Sequence, residues 1–207
     1  MASFITLEGG EGAGKSTQAA LLADALVAQG LPVLRTREPG GPPGAETLRG
    51  LLLRANEWSP LAETLLHFAA RAEHVAKIIR PAHDAGMWVV CDRFYDSTMA
   101  YQGYGQGIDR GVIAQLTGYL GIAPDITLVL DVSDEVAVER LAQRGGEADR
   151  YERLDAAFHA RVRQGFREIA AAEPARCVLI ASGGSKEEVH SAIMRKLRAR
   201  LTLPQTK

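Results

Sequence analysis

Residues 9–16 read Gly-Gly-Glu-Gly-Ala-Gly-Lys-Ser, and Thr17 follows. The run fits G-x-x-x-x-G-K-S/T, a loop whose backbone N–H groups wrap phosphates while its lysine reaches the outer ones. Its context restricts the fold as much as the motif does. Phe4-Ile5-Thr6-Leu7 before it is short, apolar and β-prone. Residues 18–29 after it carry Leu22, Ala25, Leu26 and Gln29 at helical spacing, with Gly30 placed to end the helix. Strand, glycine loop and helix N-terminus put partial positive charge where an anion would sit. Gly10, Glu11, Gly12, Ala13, Gly14, Lys15, Ser16 and Thr17 are therefore the candidates for holding a nucleoside triphosphate. Lys15 is expected at the β- and γ-phosphates and the Ser16 hydroxyl on Mg²⁺.

Short apolar runs recur at 4–7, 32–34, 87–91, 126–130 and 177–180, with helical patterns at 45–55, 61–85, 110–120, 134–144, 155–172 and 186–201. Strands alternating with helices predict an α/β fold, a parallel sheet covered on both faces. Ligands then gather beyond the carboxyl ends of the strands, at 8–17, 37–41, 92–102, 131–133 and 182–184. At 207 residues, 46% hydrophobic and 24% charged, the chain is expected to be one domain, 1–207. A formal charge of −1 offers no global field for nucleic acid or an anionic membrane. No apolar run approaches the roughly 18 residues of a membrane span. Cys91 and Cys177 adjoin apolar runs without metal-ligand spacing, as buried thiols of a cytoplasmic protein would. Residues 203–207 read as a frayed tail.

The loop alone serves ATPases, GTPases and kinases, so the reaction class must come from elsewhere. The Asn-Lys-x-Asp signature of guanine-specific switches is absent, since the one asparagine, Asn56, precedes Glu57. Arg37 and Arg93 follow apolar runs on the ligand side, and Arg49 lies on the intervening helix. Guanidinium groups bind phosphate in a bidentate fork, which points to a second, phosphorylated substrate. Arg140, Arg144, Arg150 and Arg153 surround Gly145-Gly146 and form either a mobile flap or a solvated, salt-bridged connection; the pattern supports both equally.

In order and at similar spacing, 9–17, Arg37-Glu38-Pro39-Gly40-Gly41, Phe68-Ala69-Ala70-Arg71, Asp92-Arg93-Phe94, Ala100-Tyr101-Gln102-Gly103 and Asp149-Arg150-Tyr151-Glu152 resemble bacterial thymidylate kinases. The resemblance covers about 4–189. It implies the P-loop nucleoside-monophosphate-kinase fold with a five-stranded parallel sheet, a short lid at about 140–153, a homodimer, and transfer of the ATP γ-phosphoryl group to dTMP with Mg²⁺. It implies that Lys15, Arg93, Arg144 and Arg150 are catalytic, and that Ser16 and Asp92 organise the metal. Glu11 would accept from the 3′-hydroxyl, while Arg37, Arg49 and Arg93 clamp the dTMP phosphate. Phe68 would stack on thymine, Arg71, Thr98 and Gln102 hydrogen-bond it, and Tyr101 crowd the 2′ position. Because Gly12 follows Glu11, the sequence resembles the kind whose lid supplies the catalytic arginine.

Three departures stand out. The aromatic precedes Arg71 by three residues where many relatives have four, so His67 could share the stacking role, and periodicity alone makes Phe68 a core aromatic. Gly145-Gly146 adds a glycine to the lid, leaving open which arginine reaches the phosphates. Ser182-Gly183-Gly184 replaces a common Asp-Ala on the adenine side. A kinase for a nucleoside or another monophosphate and a non-catalytic nucleotide-binding scaffold are the rival readings. A nucleoside kinase would want a general base and would not need three phosphate-clamping arginines, and the scaffold has no use for Lys15, Asp92 and the lid arginines together.

Overall fold

The computed structural model describes residues 2–54, 58–145 and 150–201. The expected tail at 203–207, Asn56, and Gly146 to Asp149 of the flap lie outside them. Five parallel strands, β1 (Phe4–Glu8), β2 (Val33–Arg37), β3 (Trp88–Asp92), β4 (Ile126–Asp131) and β5 (Cys177–Ala181), form one sheet in the order β2-β3-β1-β4-β5. Helices α1 (Lys15–Ala28), α2 (Pro43–Leu53), α3 (Pro60–His74), α4 (Arg80–Asp84), α5 (Tyr95–Thr98), α6 (Arg110–Gly118), α7 (Asp134–Arg144), α8 (Ala156–Ala172) and α9 (Lys186–Arg200) connect and cover it.

β1 is buried along its whole length because it lies between β3 and β4, pairing Ile5 with Val90 and with Ile126. Alternation divides its side chains between two layers. Ile5 and Leu7 pack with Leu22 and Leu26 of α1 and Ile193 and Leu197 of α9, while Phe4 packs with Val89, Cys91, Phe94 and Ile79 on the opposite face. Leu26 is fully buried, so Leu26→Ala would cost roughly 2–5 kcal/mol. The two hydroxyls inside the central strands, Thr6 and Thr127, satisfy each other at 2.7 Å.

Helix starts follow the local chemistry. Ser59 caps α3 ahead of Pro60, Asp155 caps α8 by accepting from Phe158 N at 2.7 Å, and Ser185 with Glu188 forms a capping box on α9. The pattern at 61–85 is interrupted rather than uniform, because α3 passes through a π-helical turn at Val75–Ile79 before α4. Similarly, α5 runs into a π-helical turn at Met99–Gly105, where the periodicity predicts no helix. β2 extends past the apolar stretch into Arg35 and Arg37 because it is an edge strand with a wet flank. β1 is the strand at which the chain's winding reverses, so the cleft opens beyond its carboxyl end.

Candidate active site

The loop after β1 passes over the N-terminus of α1, and its glycines do specific work. Gly12 has φ 70°, and a Cβ there would meet the Ala137 carbonyl oxygen of α7 at 2.6 Å, so only glycine lets the loop close against that helix. Lys15 is buried and donates from Nζ to the Gly10 carbonyl at 2.7 Å, across the hollow of the loop. Burial, then Arg93, pulls its ammonium down to about 8 against the opposing pull of Glu11 and Asp92. Glu11, Gly12, Gly14, Lys15, Ser16 and Thr17 line a cleft of about 500 Å³, whereas Gly10 and Ala13 are buried behind it.

At the end of β3, Asp92 accepts a hydrogen bond on Oδ2 from the Ser16 hydroxyl. Its Oδ1 is buried and makes no hydrogen bond. A hydroxyl and an unsatisfied carboxylate oxygen beside a phosphate loop are the sparse oxygen set that Mg²⁺ takes when substrate phosphates and water supply the rest. The residues present fit the ion.

Arg93, next in sequence, is the one described non-glycine residue with positive φ, at 69°. Its N–H donates to the Leu7 carbonyl at 2.9 Å, so the chain leaves β3 while still bonded to β1. The turn is held in this sparsely populated conformation by Glu8, which accepts from Phe94 N at 2.7 Å, Ser97 N at 3.2 Å and Ser97 Oγ at 2.5 Å. Burial, then the neighbouring Asp96 carboxylate, pushes Glu8 up to about 8. The result aims the Arg93 guanidinium back at the loop. Nη2 donates to Glu11 Oε1 at 2.6 Å, and Nη1 donates to the Gly9 carbonyl and Ser97 Oγ, each at 3.2 Å. Tyr101 OH joins the pair, donating to Glu11 Oε1 at 2.7 Å. Burial would raise the Glu11 carboxyl, but Arg93, Lys15 and the Tyr101 hydrogen bond outweigh it and hold it at about 2.

Arg37 and Arg49 reach the cleft from β2 and α2, with both donating to the Pro39 carbonyl, at 3.1 and 2.7 Å. Arg37 also pairs with Glu46 at 3.0 Å and stays about half exposed. Arg71 is buried, with Nε donating to Glu38 at 2.6 Å, Nη1 to Thr98 Oγ1 at 3.1 Å and Nη2 to the Phe94 carbonyl at 3.0 Å. Arg71, Thr98, Tyr101 and Gln102 all border the same cleft. Thus one cavity carries the phosphate loop and the three arginines Arg37, Arg49 and Arg93.

Besides Gly10 and Ala13, two predicted residues lie outside the cleft lining. Phe68 does not line the cleft; it packs into the core with Val75 and Phe94, its ring 5.0 Å from the Arg71 guanidinium carbon. His67 lines the cleft instead, because i and i+4 share a helix face and His67 is one turn before Arg71. Arg150 is not at the cleft either: its Nη2 lies 2.5 Å from buried Glu63. Arg144 does border the cleft, half exposed, with Nη2 donating to both carboxylate oxygens of Glu152 at 2.7 and 2.8 Å. Sequence reasoning assigns no site role to Glu8, Glu38 or Glu63, and places Arg140 only in the candidate flap. Arg140 spans the loop from α7, donating to the Gly184 carbonyl at 2.8 Å. Nothing in spacing separates such acids from surface ones, although Glu38 sits inside the Arg-Glu-Pro-Gly-Gly run.

Sheet order, phosphate loop and the paired cleft define a P-loop phosphotransferase of the nucleoside-monophosphate-kinase fold. A family model described as thymidylate kinase matches residues 7–193. The thymidylate kinase of Rhizorhabdus wittichii is 54% identical over 199 residues, spanning 94% of this chain and 96% of the relative. That of Gluconobacter oxydans is 52% identical over 206 residues, 97% of this chain and 96% of the relative. The crystal structure of thymidylate kinase from Ehrlichia chaffeensis superposes with a TM-score of 0.78 at 39% identity, covering 95% of this chain and 98% of that one. The chain belongs to the thymidylate kinase family.

Proposed function

We propose that this enzyme transfers the γ-phosphoryl group of ATP to dTMP, giving dTDP and ADP. The observation that carries the reading is that the phosphate loop shares one cleft with Arg37, Arg49 and Arg93. The loop amides and Lys15 hold the triphosphate, and the arginines hold the monophosphate with its oxygen in line with the γ-phosphorus. That oxygen forms the new P–O bond as the bond to the β-phosphate oxygen breaks, and ADP leaves with the electron pair. The attacking phosphate is already anionic near neutral pH, so no strong base is required and positioning carries most of the catalysis.

Mg²⁺, held by Ser16 and Asp92, supplies charge neutralisation at the phosphate oxygens when bound. Glu11 accepts from the 3′-hydroxyl, and Tyr101 limits space at the 2′ carbon. Arg71, Thr98 and Gln102 read the base edge, and His67 rather than Phe68 offers the ring beside it. Arg144 and Arg150 are the lid arginines available to neutralise the transferring group, Arg150 only after leaving Glu63.

We read the whole chain, 1–207, as one domain and as half of a homodimer. Leu61 and Leu65, one turn apart on α3, and Leu51 on α2 are 50%, 48% and 41% exposed, an apolar surface a second copy would cover. Cytoplasmic location is supported by two buried free thiols, Cys91 and Cys177. Among the described residues no helix is long and apolar enough to cross a membrane.

A coupled ADP-release assay across dTMP, dUMP, thymidine, CMP and AMP tests the reading. Turnover is expected with dTMP, and turnover of thymidine without dTMP would reassign the arginines.

A further inference from the structure

The base-side wall of the cleft is organised from behind by one carboxylate. Glu63, in the first turn of α3, is fully buried. Its Oε1 accepts three hydrogen bonds of 2.8 Å, from Gln102 Nε2, Gln106 Nε2 and Tyr151 OH. Its Oε2 faces Arg150 Nη2 at 2.5 Å, a charge contact in which no N–H is aimed along the line of approach. A carboxylate in an ion pair accepts and never donates.

That constraint propagates outward. Gln102 must turn its amino end to Glu63, which leaves its carbonyl Oε1 on the cleft side. Tyr151 gives its proton to Glu63, so its oxygen accepts from His67 Nε2, 2.7 Å away. The proton of the imidazole is thereby fixed on Nε2, and Nδ1 is left as a bare acceptor. Burial, then Arg71, Arg93 and Arg150, pulls His67 down to about 3, so the ring is neutral at working pH. Both residues border the cleft, Gln102 with an accepting oxygen and His67 with its ring held by Tyr151.

We propose that Glu63 is a positioning residue that fixes Gln102 as the acceptor facing the base edge and orients the His67 ring through Tyr151, so that the cleft takes a pyrimidine carrying a ring N–H and rejects cytosine. Thymine offers N3–H to such an acceptor. Cytosine has a lone pair at N3, and acceptor against acceptor leaves both atoms desolvated and unpaired. The inference rests on the reading of the site as a dTMP site.

Glu63→Gln keeps the shape and supplies an amino group that can donate to Gln102 Oε1, releasing Gln102 to present its own amino group. The ratio of kcat/KM for dTMP over dCMP is expected to fall by at least about tenfold, through a raised KM for dTMP, with KM for ATP unchanged. A purely structural role would lower both substrates together and leave the ratio in place, and that result would overturn the proposal. Should Glu63→Gln fail to fold by circular dichroism, the unmodified enzyme decides with N3-methyl-dTMP. A loss of more than about 100-fold in kcat/KM against dTMP is expected, and retention within about threefold would overturn the assignment. A wild-type enzyme that turns over dCMP as well as dTMP also overturns it. One that turns over neither refutes the functional reading itself.

Discussion

Arg93 Nη2 and Glu11 Oε1 lie 2.6 Å apart, joining the end of β3 to the phosphate loop by a charge pair that is only 17% and 15% exposed. The pair explains why an acid can sit among phosphate-binding amides. With Arg93 and Lys15 around it, Glu11 is held at about 2 despite burial, and it anchors the Arg93 guanidinium against the loop. Arg93 in turn reaches this position only because its backbone takes φ 69°, a turn braced by Glu8.

Glu11→Gln leaves Arg93 with a neutral acceptor and weakens the grip on a sugar hydroxyl. The kcat/KM for dTMP is expected to fall by roughly 10–100-fold, the worth of one charge-assisted hydrogen bond. The same substitution assayed with 3′-deoxy-dTMP should cost less than about threefold, because the partner hydroxyl is already missing. Equal losses with both monophosphates would place Glu11 in loop support alone.

Lys15 provides a thermodynamic check that needs no catalysis. Burial, then Arg93, brings it down to about 8, so at pH 8 about half the lysines are uncharged in the free enzyme. A triphosphate beside Nζ favours the charged form and should draw in about half a proton per site at that pH. Calorimetry of a non-hydrolysable ATP analogue in buffers of different ionisation enthalpy reads this uptake directly. It should vanish in Lys15→Met.

The phosphate end of the site was readable because its chemistry is contiguous: 9–17 and Asp92-Arg93 are fixed by spacing and by the strand that precedes each. The base end is assembled across distance. Glu63, Gln102, Tyr151 and His67 come from three separate segments, and their link is a buried carboxylate that leaves no pattern in sequence. Phe68 shows the limit of motif matching. A one-residue change in spacing turns a side chain about 100° around a helix, which exchanges a cleft position for a core one. The helix at Tyr95–Thr98 and its π-helical continuation leave no helical period in the sequence, since Gly103, Tyr104 and Gly105 break it.

His67 gives a stability signature with a definite sign. Its folded value of about 3 lies below the ordinary 6.5, so between those values the unfolded chain binds more protons. Stability must therefore decline as pH falls from 6.5 towards 3. His67→Phe removes the titration, and the drop in Tm between pH 6.5 and 4 should be smaller in the variant than in the parent. Differential scanning fluorimetry across that range reads it; an unchanged slope would mean that other groups carry the acid response.

The apolar strip on α2 and α3 predicts assembly. Leu65→Arg adds a charge to that surface, and Leu65 is 48% exposed in the single chain, so the variant should leave the monomer's core intact. Light scattering after size exclusion is expected to show a dimer for the parent and a monomer for the variant at micromolar concentration. A variant that remains dimeric would move the interface elsewhere.

Arg144 and Arg150 begin from different states, and their substitutions should separate. Arg144 borders the cleft, about half exposed and paired with Glu152, so Arg144→Ala removes a group already near the phosphates. Arg150 is tethered to Glu63, fully buried, and must exchange that partner before it can touch the transferring group. Arg150→Ala is expected to lower kcat by about 100-fold or more with little change in KM for ATP, as for a contact made only in the transition state. It should also cost stability, because it strips the counter-charge from a buried carboxylate, a loss of roughly 3–5 kcal/mol when uncompensated. Arg144→Ala should leave stability unaltered and act mainly on KM for ATP. Steady-state kinetics with thermal denaturation on both variants distinguishes the two, and a KM effect from Arg150→Ala would assign that arginine to ground-state binding.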